Sequence, residues 1–281
     1  MRAALKKYFP VFVLPTLIAF GIAFFVPFII GFGLSFTDFT TITNAEFVGV
    51  QNYVDAFGER SGFTGAFFFT LLVAIVAIVS VNVFAFWIAW LLTRKLRGTN
   101  FFRTVFFMPN LIGGIVLGYT WQVLINSVLT QYGTTIISDW KYGYWGLIML
   151  INWQQVGYMM IIYIAGLQNV PPELIESAEL DGAGRWQTLR HVTIPMVMPA
   201  ITICLFLTLS NTFKMYDQNL ALTAGAPQGK TEMVALNIVN SMFYEIGQEG
   251  VAQAKAVIFV VAVVAIAMFQ LRATRAREVE A

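Results

Sequence analysis

Six stretches of this 281-residue chain are apolar for long enough to cross a bilayer, and polar segments separate them. They run at about 11–36, 66–93, 105–126, 145–167, 196–216 and 253–271. A helix needs roughly 20 apolar residues to cross the hydrocarbon core. Only helices fit, because each span has to satisfy its own backbone hydrogen bonds where there is no water. The pattern therefore predicts an all-α, polytopic membrane protein with six transmembrane helices in a single membrane domain over residues 1–281. The third and fourth spans carry polar side chains: Asn110, Gln122 and Asn126 in one, Asn152, Gln154 and Gln155 in the other. At that depth such groups face protein or a cavity rather than lipid. Between the fourth and fifth spans, residues 169–195 form a polar, charged island. A membrane protein that keeps such an island between two spans presents it to something in water.

Composition agrees. The chain is 58% hydrophobic and only 11% charged, whereas about a quarter of a soluble domain is charged. The single cysteine, Cys204, excludes an internal disulfide and any cysteine-based metal site, and the single histidine, His191, excludes a multi-histidine one. Arg2, Lys6 and Lys7 precede the first apolar run. That run exceeds the 7–15 residues of a cleavable signal and lacks a small-residue cleavage site, so it reads as a retained span.

Lys and Arg concentrate in cytoplasmic loops of membrane proteins. One side of this chain carries Arg2, Lys6, Lys7, Arg94, Lys95, Arg97, Arg103, Arg185, Arg190, Arg272, Arg275 and Arg277. The other carries Arg60, Lys141 and Lys230, with Lys214 and Lys255 near span ends and unassigned. Twelve against three puts both termini and the 169–195 island in the cytoplasm. The two large outer loops are acidic: residues 37–63 hold Asp38, Glu46, Asp55 and Glu59, and residues 217–252 hold Asp217, Glu232, Glu245 and Glu249.

The island has its own local logic. Pro171 and Pro172 mark a helix start. Glu173, Glu176 and Glu179 follow at intervals of three, roughly one face of a short helix, and acidic residues early in a helix suit its dipole. Gly182 permits a left-handed stop. A second short helix is expected from about Gly184 to Val192, with Pro195 leading back into the membrane. The predicted product is a helix-turn-helix elbow with one acidic face. The unspecialised alternative is a solvated loop with no partner.

The spacing Glu176-Ser177-Ala178, then Gly182, then Val192-Thr193-Ile194-Pro195 resembles the EAA loop of ABC-importer permeases. The usual pattern there is Glu-Ala-Ala, three residues, Gly, nine residues, Ile-x-Leu-Pro. All intervals match; Ser177, Val192 and Ile194 are small or isosteric departures. Leu14-Pro15, Ser35-Phe36-Thr37-Asp38 and Phe47-Val48-Gly49-Val50-Gln51-Asn52-Tyr53 are similar to the start of sugar-type permeases. Arg94-Lys95-Leu96-Arg97-Gly98 with Phe102-Arg103 and Pro109, and the turn Thr223-Ala224-Gly225-Ala226-Pro227, extend the resemblance to maltose-type and glycerol-phosphate-type permeases. The resemblance implies that the loop docks into a cytoplasmic ATPase, through Glu176, Ser177, Ala178, Glu179, Asp181, Gly182, Ile194 and Pro195. It further implies a dimer of ABC ATPases holding the ATP and magnesium, a second homologous permease, and an extracytoplasmic solute-binding protein. The place would be a bacterial inner membrane. No cofactor is expected on this chain, and no nucleic acid as partner.

Two further features concern chemistry. Ala224-Gly225-Ala226-Pro227-Gln228-Gly229-Lys230-Thr231 fits a loose phosphate-loop pattern. A true phosphate loop follows a buried strand and opens a helix; here a membrane helix precedes it and the charge bias puts it outside, so it reads as a decoy. Ile151, Gln154, Gln155 and Tyr158 form one helical stripe in the fourth span, as do Thr208, Asn211, Thr212 and Met215 in the fifth. Amides, hydroxyls and a phenol suit a hydroxyl-rich solute. The competing reading is that they bridge helices within the bundle. The resemblance implies sugar contacts on corresponding faces, with Tyr158 the residue-level match. A stand-alone secondary transporter would want membrane-embedded carboxylates, and an intramembrane enzyme would want paired catalytic groups within spans; neither is present. The expected function is import of a sugar or oligosaccharide, the alternatives being a stand-alone secondary transporter or an ABC importer for a non-sugar solute such as glycerol 3-phosphate.

Overall fold

The computed structural model describes residues 2–94 and 97–275. Lys95 and Leu96 of the connection between the second and third spans, and Arg277 of the tail, lie outside the described residues. In chain order, α1 (Arg2–Phe20) runs through a π turn at Gly21–Phe25 into α2 (Val26–Leu34). A minimal hairpin pairs β1 (Thr37–Asp38) with β2 (Glu46–Phe47), and α3 (Gln51–Ala56) follows. Then come α4 (Phe63–Leu92), α5 (Thr99–Phe107), α6 (Gly114–Leu129) and α7 (Trp140–Gln168). The loop region holds α8 (Pro172–Leu180), α9 (Arg185–Thr188) and α10 (Ile194–Met196). The remainder is α11 (Met198–Phe213), α12 (Asp217–Leu222), α13 (Val234–Phe243) and α14 (Glu249–Arg275).

Among the described residues the protein is all-α apart from that hairpin, and four helices are long and apolar enough to span: Val11–Leu34, Phe63–Leu92, Trp140–Gln168 and Glu249–Arg275. The third span, expected as one helix over 105–126, is corrected to two helices meeting at 101°. Pro109 brings no N–H, and Ile112 and Gly113 are in extended backbone, so the helical ladder stops and restarts. The fifth span is bent by 69° between Met196 and Met198, beside Pro195 and Pro199.

The chain forms two compact units. Residues 64–237 with 261–275 make the larger one, and α7 is its centre. Its neighbours approach closely where α7 lacks side chains. A Cβ at Gly157 would run into the carbonyl oxygen of Phe106, and one at Gly166 would sit 2.6 Å from the Ala200 Cβ. Small residues at helix interfaces allow this approach in membranes. Asn82 ties three helices together, donating to Thr208 Oγ1 at 3.2 Å and accepting from Tyr163 OH at 2.7 Å. Asn152 donates to Ser80 Oγ at 2.9 Å.

Residues 2–63 with 238–260 make the smaller unit. Asn52 donates to the carbonyl oxygens of Ser35 and Thr37, pinning α3 to the chain leaving α2. Lys255, left without a side by the charge count, is fully buried. Its ammonium donates to Ser61 O at 3.0 Å and Ser241 Oγ at 2.7 Å, so a charge near a span end is tied into protein.

Candidate functional site

Two features of the larger unit have functional character: a polar cavity beside α7, and the elbow formed by α8 and α9. The cavity is about 250 Å³ and is lined by Asn110, Gln154, Gln155, Asn211, Lys214, Met215 and Gln218. The bend before α6 supplies Asn110, α7 supplies the glutamine pair, and the end of α11 and start of α12 supply the rest. No carboxylate is among these lining residues. Gln218 Nε2 donates to Gln154 Oε1 at 3.0 Å, which orients both amides. Gln155 is 4% exposed, and its Oε1 is buried with no hydrogen-bond partner. An unmet buried acceptor costs about 1–3 kcal/mol. Gln155 thus offers a place for an O–H or N–H donor from a solute.

Of the eight side chains expected along the path, four line this cavity: Gln154, Gln155, Asn211 and Met215. The other four go elsewhere. Ile151 is fully buried in the apolar core. Thr208 and Thr212 are fully buried and donate to the carbonyls four residues back, Cys204 O and Thr208 O, both at 2.8 Å. Such back-bonding lets a hydroxyl pass through apolar packing, and for Thr208 the Asn82 contact makes it a helix bridge. Tyr158 packs against the core, with its ring 6.5 Å from that of Phe107. Asn110, Lys214 and Gln218 were not in the predicted set. Asn211, Lys214 and Gln218 do recur at helical spacing, but α11 ends at Phe213 and α12 begins at Asp217, so periodicity alone gave no ground to extend the stripe.

The elbow forms for local reasons. Pro171 and Pro172 open α8, with Glu173 in its first turn. Gly182 has φ +79° and closes the helix with paired bonds: Ala183 N donates to Ala178 O at 2.9 Å and Gly182 N to Glu179 O at 3.1 Å. This is the double bond pattern that a left-handed glycine makes after a helix end. Gly184 N donates to Gln187 Oε1 at 2.8 Å, capping α9. The second helix is shorter than expected, because a π turn at Leu189–Thr193 replaces its last residues. Glu173, Glu176, Ser177, Glu179, Asp181 and Gly182 are all exposed, while Ala178, Ile194 and Pro195 are half-buried. Apolar side chains are exposed beside them: Leu180 at 89%, Trp186 at 60% and Leu174 at 42%. Exposed apolar side chains rimmed by polar ones mark surfaces that meet a protein or a membrane.

The phosphate-loop lookalike is a self-closed turn. A helix, α12, precedes it, and Thr231 Oγ1 donates to Ala226 O at 2.6 Å. Asn219 Nδ2 of α12 donates to Thr231 O at 2.8 Å, so Thr231 is tied both to the turn and to the preceding helix.

Residues 84–278 match the family described as the binding-protein-dependent transport system inner membrane component. The chain is 40% identical over 277 residues to a probable starch degradation products transport system permease protein, AmyD, of Thermoanaerobacterium thermosulfurigenes, covering 96% of this chain and 94% of that one. It is 30% identical over 290 residues to a multiple sugar-binding transport system permease protein, MsmF, of Streptococcus mutans, with 99% of each covered. A solved bacterial ABC transporter that imports the acidic polysaccharide alginate contains a chain with the same fold: TM-score 0.81 at 19% identity, with 97% of both chains covered. The chain belongs to the family of binding-protein-dependent transport system inner membrane components.

Proposed function

We propose that this chain translocates a sugar or oligosaccharide as one of two similar permease subunits of an ABC importer. Its family makes it a membrane transport subunit rather than an enzyme. In this reading ATP and magnesium sit on a dimer of cytoplasmic ATPases, and a solute-binding protein delivers cargo to the acidic outer loops. Both termini and the elbow are cytoplasmic, a reading supported by the Lys and Arg distribution. ATPase closure moves the elbow, whose exposed Glu173, Glu176 and Leu180 meet the partner, and Pro195 passes the motion to α11.

The observation that carries the solute class is the cavity. It presents five amides, with an unmet acceptor on Gln155 and no carboxylate. Neutral amides exchange hydrogen bonds with hydroxyls without demanding a charge. The relatives named for starch degradation products and multiple sugars support the same class. Lys214 favours a second reading, a saccharide or polyol bearing an anionic group, since an ammonium on the wall would pair with it.

The test is uptake and solute-stimulated ATP hydrolysis by the assembled importer in proteoliposomes. Gln155→Leu and Asn211→Ala should each weaken solute affinity by about 0.5–1.5 kcal/mol, roughly 2- to 13-fold, with assembly intact. Lys214→Gln should impair uptake only if the cargo is anionic. Glu176→Lys should leave the cavity alone and abolish stimulated hydrolysis. Unaltered uptake of every saccharide by both cavity variants would remove the cavity from the path.

A further inference from the structure

We propose that a second site, for a phosphate group, lies in the cleft between the end of α4 and the elbow. The cleft encloses about 330 Å³, within the range of small-ligand sites. Trp90 and Arg94 form one wall, Glu179 of α8 another, and Arg185, Thr188 and Thr193 the third. The lining thus carries two arginines, two threonines and one glutamate, and the Thr188 hydroxyl already donates to Gly184 O at 3.3 Å. The Arg94 guanidinium carbon sits 3.5 Å from the centroid of the Trp90 ring. Stacking uses the flat face of a guanidinium and leaves its N–H edge available. Guanidinium forks match phosphate oxygens in geometry and charge.

The position narrows the source of the phosphate. Trp90 lies in the last turn of α4 and Arg94 follows two residues after its end, so the cleft opens where a span leaves the bilayer. Tryptophan and basic residues mark that boundary, and basic pockets there take anionic headgroups. A soluble phosphate ester could enter from the water side with the same chemistry. Trp87 and Trp186 stack near the cleft, 6.3 Å between centroids and 5° from parallel, so α4 and the elbow already touch there. A phosphate bridging Arg94 to Arg185 would tie the elbow to the second span and damp its movement. The binding stands on the cleft alone; only the effect on coupling rests on the elbow's docking role proposed above.

The test uses the assembled importer. Native mass spectrometry reads phosphatidylglycerol retained after extraction from nanodiscs of phosphatidylcholine with and without phosphatidylglycerol. Tryptophan fluorescence reads titration with inorganic phosphate in lipid-free neutral detergent. Arg185→Gln should lower occupancy by about tenfold or more, the loss expected for a charge-assisted hydrogen bond. Glu179→Gln removes a repelling charge and should raise it, a change of sign that mere disruption of the elbow does not produce. Retention of lipid without a phosphate response assigns the site to a headgroup, and the reverse assigns it to a soluble ester. Equal occupancy in wild type, Arg185→Gln and Glu179→Gln for both probes overturns the site.

Discussion

Val11–Leu34 and Trp140–Gln168 are both helices apolar enough to cross a bilayer, and they meet opposite surroundings. None of the first span's apolar window is buried within the chain, whereas 61% of the window in α7 is. The buried helix is the less apolar of the two. In water the ranking would be reversed, because apolar surface there has to be hidden. In a bilayer the lipid accepts apolar side chains, so of these two helices the one with less protein around it is the more apolar. The helix inside the bundle is free to carry Gly143, Gly146, Gly157 and Gly166, which admit neighbours, and the amides of Asn152, Gln154 and Gln155, which bond to them or line the cavity.

The glycines give the largest test of this contrast. Gly157→Ala places a methyl group against the backbone of Phe106, and neither backbone can yield cheaply. Thermal unfolding of the purified complex in detergent should show a loss of at least about 3 kcal/mol, or no folded material. Gly21→Ala in the first span meets nothing within 4 Å. It should fall within about 0.5 kcal/mol of wild type. Similar effects at both positions would break the comparison.

A smaller effect is expected from the polar bridges. Asn82→Leu leaves the Tyr163 hydroxyl without its acceptor and removes the contact to Thr208, both inside the bundle. The expected loss is about 1–3 kcal/mol, read as a lower melting temperature. Phe24→Leu, on the exposed first span, is the matched control and should change little. A neutral Asn82→Leu would mean that these bonds do not hold α4, α7 and α11 together. The gentlest probe is chemical. Cys204 is fully buried, so a membrane-permeant maleimide should spare it in the folded complex while labelling a cysteine placed at exposed position 180, outside the spans. Rapid labelling of Cys204 without unfolding would show that the bundle opens.

The elbow was legible in the sequence because everything that makes it is local. Two prolines, a first-turn glutamate and Gly182 lie within twelve residues of one another, and their backbone consequences do not depend on what the rest of the chain does. The π turn that shortens the second helix was not legible, since no residue type announces it. The cavity was half legible. Gln154 and Gln155 are too polar for lipid, so sequence alone required a protein or solute neighbour. It could not separate a bridge from a lining. Thr208 satisfies its hydroxyl on its own helix and on Asn82, while Gln155 keeps an acceptor open, and both patterns look identical in a helical stripe.

Hydropathy by itself determined that this is a helical, multi-spanning membrane protein, because the lack of water in a bilayer leaves few ways to place apolar runs. Only the tertiary structure decided which spans break and which polar groups meet. The bend at Ile112–Gly113 brings Asn110 to the cavity, and the gap between α11 and α12 brings Lys214 and Gln218 beside Gln154. Those meetings depend on packing between elements distant in sequence, where a missing Cβ or an interrupted helix sets the approach, and no pattern along one helix encodes them.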